Sequence, residues 1–108
     1  MKALCTTDDP TDDLACHKAI QASGLATKVF PAFRPDKALN VHVPELFNPW
    51  VERLAAASNT EIGKFSAFLD AIKSRHDYFH EMGGRLSDHG LDHCFADFCT
   101  EQTAAAIF

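Results

Sequence analysis

Lys2-Ala3-Leu4-Cys5-Thr6-Thr7-Asp8-Asp9-Pro10 is the stretch on which the fold turns. Residues 2–7 are short and mostly apolar or β-prone, which predicts a buried strand, and Asp8-Asp9-Pro10 ends it. Asp9 suits a helix cap and Pro10 the first helical position. Asp12 then falls in a first turn whose free N–H groups favour negative charge. A strand running straight into a helix start is the opening half of a βαβ unit.

Working outward, the first helix is expected to run to about Ser23 and stop at Gly24. Leu25 to Phe33 predicts a second strand, with Pro31 making its end irregular. Pro44 is expected to start a short helix, and Asn48-Pro49 to cap and open another that carries Trp50, Val51 and Leu54. Ser58-Asn59-Thr60-Glu61 has the pattern of a capping box. It would open the longest helix, with Ile62, Phe65, Leu69, Ile72, His76 and Phe79 along one stripe. Gly83-Gly84 stops that helix, Arg85 to Asp88 form a brief third strand, and Thr100 begins a last helix.

The order β-α-β-α-α-β-α predicts an α/β fold, because crossover helices make consecutive strands parallel. Three parallel strands need helical cover on both faces or closure into a barrel. A complete eight-stranded βα barrel takes about 250 residues, and this chain has 108. The expectation is therefore a partial (β/α) barrel, with residues 1–108 a single fragment of a larger catalytic domain.

Composition narrows the partners. At 46% hydrophobic and 23% charged the chain is an ordinary globular sequence rather than a disordered one. No apolar run approaches the roughly 18–20 residues that span a bilayer, and the first residues lack the apolar core of a signal peptide. A cytoplasmic location is the expectation. The net charge of −5 disfavours nucleic acid and anionic membrane as partners, but leaves room for a small acidic substrate. Cys5, Cys16, Cys94 and Cys99 form no CxxC pair and are expected to be reduced thiols. The raw edges of a three-stranded sheet favour self-association, which makes a homo-oligomer an expectation.

Functional groups of parallel sheets collect at the carboxyl ends of the strands. Here those ends are Thr6-Thr7-Asp8-Asp9, Arg34-Pro35-Asp36-Lys37 and Ser87-Asp88-His89. Arg34 is the sharpest candidate, since a guanidinium on a strand end grips a carboxylate by two parallel hydrogen bonds. The competing reading is a surface arginine paired with Asp36 or Asp8. Asp88 and His89 could supply acid/base chemistry, or Ser87 and Asp88 could merely cap the following turn. Asp8 and Asp9 lean towards structural roles, and Lys37 towards a solvated charge. His76 and His80 share one helix face at zinc-protease spacing but lack the accompanying glutamate, so His76 is expected to be a core histidine. His89, His93, Cys94 and Cys99 have no zinc-finger spacing, and no metal site is expected in the chain.

Read in order, these motifs resemble the uronate (glucuronate) isomerase family. The resemblance rests on Thr6-Thr7-Asp8-Asp9-Pro10, Phe33-Arg34-Pro35-Asp36-Lys37-Ala38 and Gly84-Arg85-Leu86-Ser87-Asp88-His89-Gly90-Leu91-Asp92, supported by Asn48-Pro49-Trp50-Val51 and His76-Asp77-Tyr78-Phe79-His80. It implies an internal stretch of a barrel enzyme of the amidohydrolase superfamily. Such an enzyme interconverts D-glucuronate with D-fructuronate, and D-galacturonate with D-tagaturonate, by moving a proton between C2 and C1 through an enediol. It also implies that Arg34 binds the sugar-acid carboxylate and that Asp88, accompanied by His89, is catalytic. The family's metal-binding His-x-His is absent, since Val41-His42-Val43 has one histidine only. A divalent metal such as zinc would therefore take its ligands from outside this segment. Two other classes stay open on sequence alone: a small binding module using Arg34, and a zinc-stabilised interaction module using His76, His80 and the His89 to Cys99 cluster.

Overall fold

A computed structural model describes residues 1–92 and 97–108. Its elements are β1 (Ala3–Asp8), α1 (Ala15–Ala22), β2 (Lys28–Phe33), a 3-10 segment (Asp36–His42), α2 (Pro44–Ser58), α3 (Phe65–Glu81), β3 (Leu86–Ser87) and α4 (Glu101–Ile107). The strands form one parallel sheet in the order β1-β2-β3. The α/β fold with three parallel strands and intervening helices is what the strand–helix alternation predicts. Among the described residues no helix is long and apolar enough to cross a membrane.

Side chains alternate across a strand, and the register divides them cleanly. Thr6 pairs with Pro31, Asp8 with Phe33, and Phe33 with Ser87. This set faces the helices: Phe33 packs with Leu14 and Phe79 in one buried cluster, and Thr6 Oγ1 lies 2.7 Å from His17 Nε2 of α1. The other set holds Cys5, Thr7, Phe30, Ala32, Arg34, Leu86 and Asp88. Nothing in α1 to α3 covers the free end of that face, and Leu86 is 60% exposed. β1 is correspondingly exposed along most of its length. The expectation of a buried first strand therefore fails within this chain: β1 is a sheet edge with a neighbour on one side only.

A second core joins α2 to α3. Phe47, Trp50 and Leu54 face Phe68 and Ala71 at helical spacing, and Phe108, just past α4, closes over them. Thr100 caps α4 as its sequence suggests, its hydroxyl accepting from the Thr103 N–H at 3.2 Å.

Several local expectations are corrected. α1 begins at Ala15, not Pro10, because Asp9 spends its carboxylate on a turn, accepting from the N–H and hydroxyl of Thr11 at 2.9 and 2.7 Å. Leu14, in left-handed backbone with φ 55°, precedes the helix and is fully buried under Phe33, which offsets that strain. Pro31 sits inside β2 without disturbing it. The N–H groups of Lys28 and Arg34 go to β1, so residue 31 faces β3, which pairs only from Ala32 onward. Asn48-Pro49 does not break the helix: Pro49 lies within a continuous α2. Ser58-Asn59-Thr60 ends α2 instead of opening α3, with Asn59 left-handed at φ 51° and Ser58 Oγ donating back to Leu54 O. α3 then starts at Phe65. His76 is exposed, touching Phe33 edge-on at 5.2 Å, and Leu69 is also exposed. The buried positions of α3 are Phe68, Ala71, Arg75 and Phe79.

Candidate active site

The three strand ends meet on the uncovered face. Arg34 follows β2 directly, and its own N–H donates to Asp8 O at 3.0 Å, so its backbone is the last rung to β1. Asp88 follows β3, its N–H donating to Phe33 O at 3.2 Å. Alternation turns both side chains to the face that Thr7 occupies. There the guanidinium donates through Nε to Asp88 Oδ1 at 3.3 Å and through Nη2 to Asp88 Oδ2. Thr7 Oγ1 donates to the same carboxylate at 3.3 Å, reaching over buried Ala32, which pairs with Thr7 on one side and Leu86 on the other.

This pairing sets the charge states. The hydrogen bond from Arg34 holds the Asp88 carboxyl below the usual carboxylate range, and the same bond raises Arg34 further above neutrality. Asp88 is an anion at neutral pH, gripped by the fork expected of Arg34. The partner is Asp88, rather than Asp36 or Asp8. The fork leaves Nη1 uncommitted among the described residues, and it lies beside Gly90: a Cβ there would stand 3.4 Å from it.

A second carboxylate lines the same rim. Asp36 Oδ1 lies 2.7 Å from His89 Nδ1, and Asp36 Oδ2 accepts from the Gly90 N–H at 2.7 Å. Asp9 completes the outer edge, accepting from Trp50 Nε1 at 3.0 Å and pairing with Lys37 Nζ at 3.0 Å. Burial pushes the Asp9 carboxyl up, but the donors of Thr11, Trp50 and Lys37 together outweigh it and hold it low. Thr7, Asp8, Asp9, Arg34, Asp36 and Lys37 enclose a cleft of about 170 Å³.

The structure thus brings Arg34, Asp88 and His89 to one rim, with Asp8 and Asp9 beside them. Lys37 is exposed but ion-paired to Asp9 rather than free in solvent. Asp36, expected at most as a partner for Arg34, and Trp50, expected only as part of a helix and a supporting motif, both take part in the rim. The signal for Asp36 was its place two residues beyond Arg34; none pointed from Trp50 to Asp9, 41 residues away. His76 and His80 stand apart on exposed faces of α3. Among the described residues no group of three or more His, Cys, Asp or Glu could hold a metal. His93 and Cys94 lie outside the described residues.

Residues 1–108 match the family described as glucuronate isomerase. The chain belongs to the glucuronate isomerase family. It is 71% identical over all 108 residues to a uronate isomerase of Solibacter usitatus, covering 23% of that protein, and 55% identical over 105 residues to one of Opitutus terrae, covering 22%. In shape it is similar to the crystal structure of uronate isomerase from Thermotoga maritima, with a TM-score of 0.90 and 31% identity, over 98% of this chain and 23% of that one. Glucuronate isomerase from Caulobacter crescentus matches with a TM-score of 0.86 and 29% identity, over 98% and 22%. The chain therefore spans about a quarter of the length of the family members it matches. Nothing in these matches favours a small binding module or a zinc-stabilised one.

Proposed function

We propose that this chain supplies one rim of the active site of a uronate isomerase, acting on D-glucuronate and D-galacturonate. The observation that carries the reading is the Arg34 guanidinium at a strand end, pre-oriented by Asp88, with Nη1 free of hydrogen-bond partners among the described residues. Arg34 pairs with the carboxylate of the hexuronate through charge-assisted hydrogen bonds, anchoring the far end of the sugar. Asp88, ionised and committed to Arg34, orients that anchor. The rim carboxylates already hold other partners, so these residues do not make a metal centre. If the enzyme uses a divalent ion such as zinc, its ligands come from elsewhere in a (β/α) barrel of the amidohydrolase type.

The test is ketose formation from D-glucuronate by the enzyme carrying this sequence. Arg34→Met is expected to lower kcat/KM by about 10²-fold or more, because it removes both the charge and the alignment. Arg34→Lys should recover little, since a point charge does not rebuild the fork. The 108-residue chain alone should form no ketose, lacking a group to stabilise the enediolate. Near-parental kcat/KM in Arg34→Met would place the arginine outside the substrate site.

A further inference from the structure

Two adjacent threonines leave β1 on opposite faces and do different work. Thr6 turns to the helices, where its hydroxyl donates to Asp8 Oδ2 at 2.6 Å and lies 2.7 Å from His17 Nε2. Thr7 turns to the rim face and reaches Asp88 at 3.3 Å, on the far side of β2. The Asp88 carboxyl is held below the usual range, chiefly by Arg34, so it is ionised at neutral pH. An ionised carboxylate only accepts, so the single hydroxyl hydrogen of Thr7 lies on that bond.

The Arg34–Asp88 pair does not fix its own position. The two side chains are 37% and 40% exposed, and an exposed ion pair of flexible side chains holds its geometry weakly. Its two bonds join guanidinium to carboxylate and leave the joined unit free to swing over the sheet. Among the described residues, the Thr7 hydroxyl makes the one hydrogen bond from those two charged groups to a third residue. Thr7 is suited to that task. Its branched Cβ restricts χ1, and it sits in β1, which pairs with β2 from Ala3 to Asp8.

The path of the bond accounts for the small residue beneath it. Neighbouring strands lie about 4.8 Å apart, so Thr7 and Asp88 meet across the whole width of β2. Ala32, paired with Thr7 on one side and Leu86 on the other, is the β2 residue under that path and is 5% exposed. A branched side chain there would stand between the hydroxyl and the carboxylate.

We propose that Thr7 is a positioning residue: by tethering Asp88 across Ala32, it fixes the Arg34 guanidinium that meets the substrate carboxylate. The tether stands on geometry alone; its effect on turnover rests on the uronate isomerase reading.

The experiment uses the enzyme carrying this sequence with Thr7→Val, which keeps the branched shape and removes the hydroxyl. This variant is expected to lower kcat/KM for D-glucuronate about tenfold, mostly through kcat, because the charge of Arg34 stays and its alignment is lost. Thr7→Ser, which keeps the hydroxyl, should recover most of that loss. In an Arg34→Met background Thr7→Val should cost little further, since Thr7 acts through that arginine. A readout independent of turnover is the ¹⁵N-arginine spectrum, with the Arg34 Nε–H signal assigned by its loss in Arg34→Met. The parent should show a slowly exchanging Nε–H, and Thr7→Val one that exchanges about tenfold faster. Parental kcat/KM in Thr7→Val overturns the positioning role, as does unchanged exchange or a loss that persists undiminished in the Arg34→Met background. A parent without a slowly exchanging Arg34 Nε–H overturns it whether or not Thr7→Val folds. A parent that forms no ketose from D-glucuronate overturns the uronate reading instead and leaves the exchange test standing.

Discussion

Replacing Arg75 with methionine should loosen the turn that carries Asp9 without touching the rim itself. Arg75 is only 7% exposed, and its guanidinium donates to three backbone carbonyls: Pro10 O at 2.8 Å, Asp12 O at 2.6 Å and Ala57 O at 3.0 Å. Two of these acceptors lie in the turn between β1 and α1, and the third ends α2. The guanidinium also stacks 4.3 Å from the Tyr78 ring, whose hydroxyl donates to Asp13 O at 2.7 Å. Each charge-assisted bond contributes roughly 1.5–3 kcal/mol, against a burial cost of several kcal/mol for the cation. That cost is visible as an Arg75 pKa lowered by desolvation. Methionine keeps the stem's packing but leaves three carbonyls without their donor, so the expected loss is about 3 kcal/mol, centred on residues 9–14. Amide exchange in this turn and the first turn of α1 should then quicken by about 10²-fold in the intact enzyme, wherever exchange proceeds through local opening. Arg75→Lys should recover little, since one ammonium cannot span three separated acceptors. Unchanged protection across residues 9–18 in Arg75→Met would refute the idea that this side chain clamps the turn.

Other outcomes follow from the same network. Trp50→Phe removes a donor from the half-buried Asp9 carboxylate and leaves a void where Trp50 was 1% exposed; denaturant titration should show a loss of about 1–3 kcal/mol. The Arg34–Asp88 pair should be insensitive to pH through the neutral range. Asp88 has a lowered folded pKa, so its contribution is fully present above the unfolded value, about 4, and fades as pH falls through the lowered one. Asp88→Asn should therefore remove part of the acid dependence of stability below about pH 4, read from melting temperature against pH, and leave its slope between pH 6 and 8 unchanged.

What could be read in advance divides by range. The parallel sheet followed from the alternation of apolar runs with helix starts, because topology needs only the order of elements. Arg34 and Asp88 followed from the same logic, as residues at strand ends. The failures sit where one local signal lost to a competing partner, near or distant. Asp9 looked like a helix cap, yet its carboxylate serves Thr11, Trp50 and Lys37. Ser58 to Glu61 looked like a helix start, yet Ser58 satisfies a carbonyl of the helix before it. His76 fell on an apolar stripe, yet the buried side chain is Arg75, one position earlier, drawn inward by carbonyls 18 to 65 residues away. A cation at a core position is invisible to hydropathy because its burial depends on acceptors that other segments supply.

The geometry of the rim is a consequence of register rather than of side-chain chemistry alone. Arg34 and Asp88 are the residues whose backbone N–H groups make the last rungs, to Asp8 O and Phe33 O. The alternation that buries Phe33 against Leu14 and Phe79 therefore also forces Arg34, one residue later, onto the opposite face. A one-residue slip of β3 against β2 would bring Ser87 or His89 opposite Arg34 and leave the guanidinium without its carboxylate. With only Leu86 and Ser87 in regular pairing, β3 is too short to hold register by ladder bonds alone. The Arg34–Asp88 pair, the Thr7 hydroxyl and the Asp36 clamp on His89 and Gly90 each select the same register from outside the ladder. The polar rim thus does two jobs at once: it presents the charges the proposed reaction needs, and it pins the strand that carries them.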